Sequence, residues 1–242
     1  MYNINGLTVE LITENGNKIT EFTKDGLTYV EGRKGSKYKI KVTNHTWGRI
    51  KTIISVDGLD ILTGKRAVAN AGGYVIPAMG TEILEGWRIS DSQVREFFFT
   101  NQKNSYNAKT GNDTNNLGVI GVMAYKEYTI PMYSTYSSFD NRRYYFAPNA
   151  LDRIGTPLSS GVVNCTYLSN AVEVKTSALL KSATHSTTQM QNSVGTGMGK
   201  VTDSKVTKVQ VTWETSPFAT NLIYYKAKKE LGFEDKTDIK ET

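Results

Sequence analysis

Leu7-Thr-Val-Glu-Leu-Ile12, Asn15-Gly16, Lys18-Ile-Thr-Glu-Phe22, Asp25-Gly26 and Leu27-Thr-Tyr-Val30 follow one another near the start of the chain. Apolar side chains recur at every second position in these runs, the period of a strand with one face on a core. Asn-Gly and Asp-Gly tolerate the paired positive φ angles of a type I′ turn, so the stretch reads as successive hairpins. The pattern continues outward. Residues 38–43 and 49–56 read as two more strands, joined across Asn44-His-Thr-Trp-Gly48, and Asp57-Gly58 supplies another turn. Gly73-Tyr-Val-Ile76, Thr81-Glu-Ile-Leu84 and Phe97-Phe-Phe99 extend the series, and Ser90 ahead of Asp91-Ser-Gln-Val94 predicts one capped helical turn. Leu117-Gly-Val-Ile-Gly-Val-Met-Ala-Tyr125 reads as a buried central strand whose glycines admit close backbone neighbours.

With 242 residues, 38% hydrophobic and 21% charged, the chain can bury the core of one large β domain or two modest ones. No apolar run approaches the roughly 18 residues of a membrane span, so no membrane role is expected. Met1-Tyr-Asn-Ile-Asn-Gly-Leu7 has neither the basic nor the apolar region of a secretory leader. One cysteine, Cys165, and two histidines, His45 and His185, exclude an internal disulfide and a Cys/His zinc site within one chain. The net charge is +6 without a basic block, and Lys37, Lys39 and Lys41 alternate with Tyr38, Ile40 and Val42 as the solvent face of a strand. That dispersal argues against a nucleic-acid partner and for solubility or docking to an acidic neighbour.

Composition changes after Glu127. Residues 128–200 hold only nine charged side chains, while 19 are Ser or Thr, and Tyr125, Tyr128, Tyr133, Tyr136, Tyr144 and Tyr145 crowd the approach to this stretch. A polar excursion of such length is usually disordered or ordered by something outside the domain, and tyrosines supply rigid contact area for a partner. The alternative is that they cover the core of their own domain. The β signal resumes with residues 205–213 and 221–225, read as a hairpin across Ser216-Pro217, and a short helix ends at Gly232. The expected organisation is a β-sandwich domain at 1–127, a docking insertion at 128–199, a returning hairpin and helix at 200–232, and a charged tail at 233–242. The expected fold class is all-β, sandwich or jelly-roll-like.

Chemistry-bearing motifs are few. Gly195-Thr-Gly-Met-Gly-Lys200 fails the phosphate-loop spacing and lacks the following Ser or Thr, so it reads as a flexible return loop. Asp57 and Asp60 read first as turn residues. His45 and His185 lack a nucleophile-elbow context, and Cys165 reads as a small buried hydrophobe. Gly86-Trp87-Arg88 offers a guanidinium to lie over an indole face. No catalytic residue, metal ligand or cofactor is expected.

Ser55-Val-Asp-Gly-Leu-Asp-Ile-Leu-Thr-Gly64, Gly73-Tyr-Val-Ile76, Gly86-Trp-Arg88, Leu117-Gly-Val-Ile-Gly121 and the 195–200 segment together resemble a family of uncharacterised bacterial and tailed-phage-associated proteins. Tyr29-Val-Glu-Gly-Arg-Lys-Gly35, Ser105-Tyr-Asn-Ala-Lys-Thr-Gly111 and Ile223-Tyr-Tyr-Lys226 extend that resemblance. Where many relatives carry His between the last two glycines of the Gly-rich segment, this chain has Met198, which weakens a metal or acid–base reading. The Asn, Lys, Ile and Tyr usage resembles virion proteins of tailed phages, crAss-like ones among them. The resemblance implies a non-enzymatic, capsid-associated virion component of decoration or head-fibre type, assembled in the host cytoplasm. It would act as a homo-oligomer on other virion proteins; the resemblance skips the Ser/Thr/Tyr-rich middle, and it is the tyrosine-rich, charge-poor composition there that points to Tyr133, Tyr136, Tyr144 and Tyr145 as the interface. The competing expectation is a carbohydrate- or nucleotide-directed enzyme or binding protein with its site among Trp87, Arg88, Tyr106 and residues 195–200.

Overall fold

Along Lys37–Asn44 every second side chain is buried, Tyr38, Ile40, Val42 and Asn44, while the lysines between them reach the surface. That single strand shows the rule of the molecule: apolar faces turned inward from two sheets onto one core. The computed structural model describes residues 3–111, 116–129 and 193–232. The strands are β1 (Asn3–Ile4), β2 (Leu7–Thr13), β3 (Glu21–Lys24), β4 (Leu27–Glu31), β5 (Lys37–Asn44), β6 (Ile50–Val56) and β7 (Leu59–Asp60). They continue with β8 (Tyr74–Ile76), β9 (Thr81–Leu84), β10 (Gly86–Arg88), β11 (Gln93–Asn101), β12 (Val119–Lys126), β13 (Val194–Asp203) and β14 (Ala219–Lys226). Among the described residues the α-helices are the short α1 (Tyr106–Lys109), whose first turn is capped by Ser105 Oγ and which follows a 3-10 turn at Gln102–Asn104, and α2 (Lys228–Leu231), which ends at Gly232 in the left-handed region.

The fold is an all-β sandwich. In the first sheet β1, β2 and β5 are neighbours, β9 lies on β5, and β11 meets β5 and β10 along one edge and β13 along the other. The second runs β3, β4, β14, β12, β6, with β7 and β8 both on β6. Its strand β14 pairs antiparallel with β12 and parallel with β4, so the last strand fills a gap left by earlier ones. Trp87, Phe97, Phe99, Ile54, Ile120 and Tyr225 lie in the core between the sheets. Strand β12 is central, as its glycine-spaced apolar sequence predicts; a Cβ on Gly121 would stand 2.9 Å from Ser55 Oγ. Asp25-Gly26 and Asp57-Gly58 both take the paired positive φ of a type I′ turn.

Several expected pairings differ. The Asn15-Gly16 turn forms, with Thr13 N–H donating to Asn17 O at 2.8 Å, but it joins no ladder of two strands. Instead β2 pairs with β5 in one sheet while β3 pairs with β4 in the other, because the chain crosses the sandwich after the turn. Residues 44–49 make a similar crossing between β5 and β6. The helical turn expected at residues 90–94 is a bend, with Ser92 N–H donating to Ser90 Oγ. The hairpin expected from 205–213 and 221–225 does not form: β14 inserts between β4 and β12, and 204–212 form no strand. Residues 195–200 are not a return loop but most of β13, so the chain rejoins the sandwich at Val194, inside the stretch expected as an insertion. Residues 130–192 of that stretch, and the tail from 233, lie outside the described residues.

Candidate functional site

The glycines of β13 are there for proximity. A Cβ at Gly197 would stand 2.4 Å from the Phe98 ring, and one at Gly195 would stand 2.6 Å from Ser105 Cβ. This close approach places the Gly197 carbonyl to accept from Trp87 Nε1 at 3.2 Å, with Tyr106 packed on the indole at 4.9 Å between centroids. Trp87, Tyr106 and residues 195–200 therefore do come together, as a packed junction with Trp87 only 1% exposed. Arg88 does not cover the indole. Its Nε donates to Tyr74 OH at 3.2 Å, its guanidinium lies 5.8 Å from the Tyr74 ring centroid, and its other nitrogens hold Ser204 O and Oγ. The reason is strand alternation: consecutive residues of β10 point to opposite faces.

Beneath this junction lies a polar chain that links the sheets. Asp57 follows β6 in the turn to β7 and is fully buried. Its Oδ1 accepts from Gly118 N–H at 2.8 Å and Tyr225 OH at 2.5 Å, and its Oδ2 accepts from Thr196 N–H at 2.8 Å. Thr196 Oγ1 lies 2.8 Å from both Tyr225 OH and Tyr38 OH. Each hydroxyl has one proton to give, and Tyr225 gives its own to Asp57, so Thr196 donates to Tyr225 and Tyr38 to Thr196. The chain thus ends on the carboxylate and leaves no hydroxyl proton idle. Tyr38 and Thr196 belong to the first sheet, Asp57, Gly118 and Tyr225 to the second.

Burial raises the Asp57 carboxyl to about 6, against the pull of its three donors toward the ionised form. The folded protein therefore binds this proton more readily than the unfolded chain does. Stability from this group is fully present below the unfolded value near 3.8 and is lost as pH rises through about 6. Unfolding in urea at about pH 5 and about pH 7.5 should show a gain of about 1–1.5 kcal/mol at the lower pH from this group. The gain should vanish in Asp57→Asn; an equal gain in that variant would assign it elsewhere. The carboxylates of exposed Glu14 and half-buried Glu127, held below their ordinary value by hydrogen bonds from Lys37 and Arg49, favour folding at higher pH and are common to both proteins.

Elsewhere most described polar groups are partnered, although Glu96 Oε2 and Thr202 Oγ1 are buried with no hydrogen-bond partner among the described residues. On the outer face of the first sheet a recess of about 110 Å³ is lined by Glu14, Lys37, Lys39, Glu85, Glu96 and Thr202. Lys37 bridges Glu14 at 2.9 Å and Glu96 at 3.1 Å, and Lys39 holds Glu85 at 2.6 Å. His45 Nε2 meets Thr8 Oγ1 at 2.9 Å. Asp60 caps its own turn through Leu62 and Thr63 N–H. Among the described residues no group of three His, Cys, Asp or Glu could hold a metal ion, and no helix is long and apolar enough to cross a membrane.

One end of the sandwich presents apolar side chains to solvent. Trp47 is 90% exposed and Met79 is 55% exposed, on adjoining turns. These turns are tied by buried Asn44, whose Nδ2 donates to Gly48 O and Pro77 O at 2.8 Å and whose Oδ1 accepts from Thr46 N–H at 2.9 Å. Met79 N–H donates to Thr46 O at 3.0 Å. Arg49 grips Glu127 with two nitrogens, so the chain leaves for its Tyr-rich segment beside the same turns, with Tyr128 exposed. Tyr125, by contrast, is buried, donating to Ala69 O at 2.6 Å with Lys51 Nζ 4.6 Å from its ring centroid. Tyr133, Tyr136, Tyr144, Tyr145, Cys165 and His185 lie outside the described residues.

No protein-family model, curated protein or solved structure matches this chain.

Proposed function

We propose that this protein is a non-enzymatic structural component that works through repeated protein–protein contacts, the setting being the virion of a tailed phage, capsid-associated, as the sequence resemblance implies. The observation that carries the reading is Trp47. An indole 90% exposed on a turn tied by a buried asparagine is a preorganised anchor, since holding the turn costs nothing further when a partner covers it. Met79, exposed on the adjoining turn, enlarges that anchor, and the sequence after exposed Tyr128 continues into Tyr133, Tyr136, Tyr144 and Tyr145. Aromatics of this kind dominate interface centres, where Lys and Glu are depleted. The buried Asp57, which could have served acid–base chemistry, is engaged with three donors that belong to the fold.

The test is incorporation into particles. Trp47→Ser, and separately Ser at Tyr133, Tyr136, Tyr144 and Tyr145, should leave the circular dichroism and melting transition of the β domain intact. Each should lower the copy number in purified particles by at least about tenfold, the loss expected on truncating a central aromatic anchor. Normal incorporation of both variants would sink the reading. So would turnover of a carbohydrate or nucleotide by the wild type with sensitivity at Arg88 or Lys200, which would establish the enzymatic alternative.

A further inference from the structure

Between β13 and β14 the chain passes from one sheet to the other through Ser204-Lys-Val-Thr-Lys-Val-Gln-Val-Thr-Trp-Glu214. Its backbone is tied down at both ends. Ser204 N–H donates to Ser92 O at 2.8 Å and Val206 N–H to Asp91 O at 2.9 Å. Beyond them Thr212 O accepts from Tyr128 N–H, and Glu214 N–H donates to Lys126 O, both at 2.9 Å. Every anchored residue is even-numbered. Among the described residues, no backbone bond involves Lys205, Thr207, Val209, Val211 or Trp213.

The even-numbered residues at both ends turn to the domain, and wherever the chain between them is extended, successive N–H and C=O groups point to opposite edges, which gives the odd-numbered residues the outer one. Four of those five residues are Thr, Val or Trp, the types that favour a ladder, and Val209 is 53% exposed. An unpaired edge of this composition is a template for another strand.

We propose that this edge pairs antiparallel with the same edge of a second copy of the chain, about a two-fold axis at Val209. The proposal rests on the assembly reading above and names one of its contacts. The register is self-complementary: Val209 faces Val209, Thr207 faces Val211, and Lys205 faces the Trp213 indole, odd always opposite odd, so both unpaired edges are satisfied at once. Charge selects the direction. Antiparallel pairing sets Lys208 opposite Gln210, whereas parallel pairing in register would set Lys208 against Lys208 and Lys205 against Lys205. Lys208 is also already held by Asp91 at 2.9 Å on its own subunit, which lowers its cost at the contact.

Sedimentation equilibrium of the full chain should show a dimer. Val209→Pro, which removes the central outward N–H, should raise the dimer dissociation constant at least about tenfold, and Lys208→Pro, which removes an inward one, should change it less than about twofold. Val209→Lys keeps the N–H but sets like charges on the axis, so it should weaken the dimer more at low salt than at high salt. A wild type that stays monomeric at about 100 μM, a dimer that survives Val209→Pro and Val209→Lys, or equal loss from both prolines would overturn the pairing. Amide protection at residues 207, 209 and 211 should grow with protein concentration. Protection independent of concentration would mean that this chain's own remaining residues cover the edge, and would overturn it too. A monomeric wild type that still enters particles would refute the pairing and leave the assembly reading standing; a dimer excluded from particles would do the reverse.

Discussion

Asp57→Ala should be among the most damaging single substitutions in this protein, lowering the unfolding free energy by roughly 3–5 kcal/mol at neutral pH. Three donors lose their acceptor at once: Gly118 N–H, Thr196 N–H and Tyr225 OH, all buried. Each unsatisfied buried donor costs about 1–3 kcal/mol, and relief from burying a charge offsets only part of the sum. Alanine must also adopt the positive φ of 53° that Asp57 holds in its turn. Asp57→Asn should cost about half as much, since Asn tolerates that φ and its carbonyl can still serve Gly118 and Tyr225, while its amide confronts Thr196 N–H. Equilibrium urea unfolding distinguishes the two. If Asp57→Ala were within about 1 kcal/mol of wild type, the inter-sheet network would be ornament rather than support.

Gly86→Ala should be comparably severe, by at least about 3 kcal/mol, for a steric reason. A Cβ at Gly86 would stand 2.0 Å from Arg95 O and 2.4 Å from Arg95 C, the backbone of the adjacent strand. Rotamer changes cannot relieve contact with a backbone, so β10 must move off β11 beside the irregularity between Arg95 and Phe97. Trp87 moves with it, losing Gly197 O and the Phe97 edge. A red-shifted tryptophan emission should accompany the lost stability. Gly48→Ala, where nothing lies within 4 Å and φ is not in the left-handed region, is the control and should change stability by less than about 0.5 kcal/mol. Equal effects at the two positions would remove the steric argument.

Strand positions were legible because alternation and turn dipeptides are local. Tyr38, Ile40 and Val42 announce their face, and Asp25-Gly26 and Asp57-Gly58 take the turn geometry their composition permits. Pairing was legible where the chain turns straight back, as β3 does onto β4 across Asp25-Gly26, but not where it leaves: Asn15-Gly16 has the same chemistry, yet the chain crosses the sandwich after it. The glycines at 195, 197 and 199 read as flexibility, whereas they are gaps for Ser105, Phe98 and Glu96, neighbours distant in sequence. Asp57 was hidden by its own turn signal. Its placement between Ile53-Ile-Ser-Val56 and Leu59 was the one hint that the carboxylate would be buried. Trp47 was legible as a turn residue, but its exposure follows only from the crossing made by residues 44–49.

The parallel contact between β4 and β14 also governs how the protein can be made. During synthesis the ribosome delivers β12 and then 92 more residues before the first residue of β14, Ala219, so β4 and β12 wait with open edges. At about 5–20 residues per second that interval is roughly 5–20 s, long enough for a nascent edge to meet another chain. Asp57 spends most of that interval without Thr196 and all of it without Tyr225, two of its three donors. The second sheet therefore closes late, and its last strand acts as the keystone of a vectorially assembled domain: chains truncated before Ala219 should accumulate as aggregates rather than as a smaller folded protein.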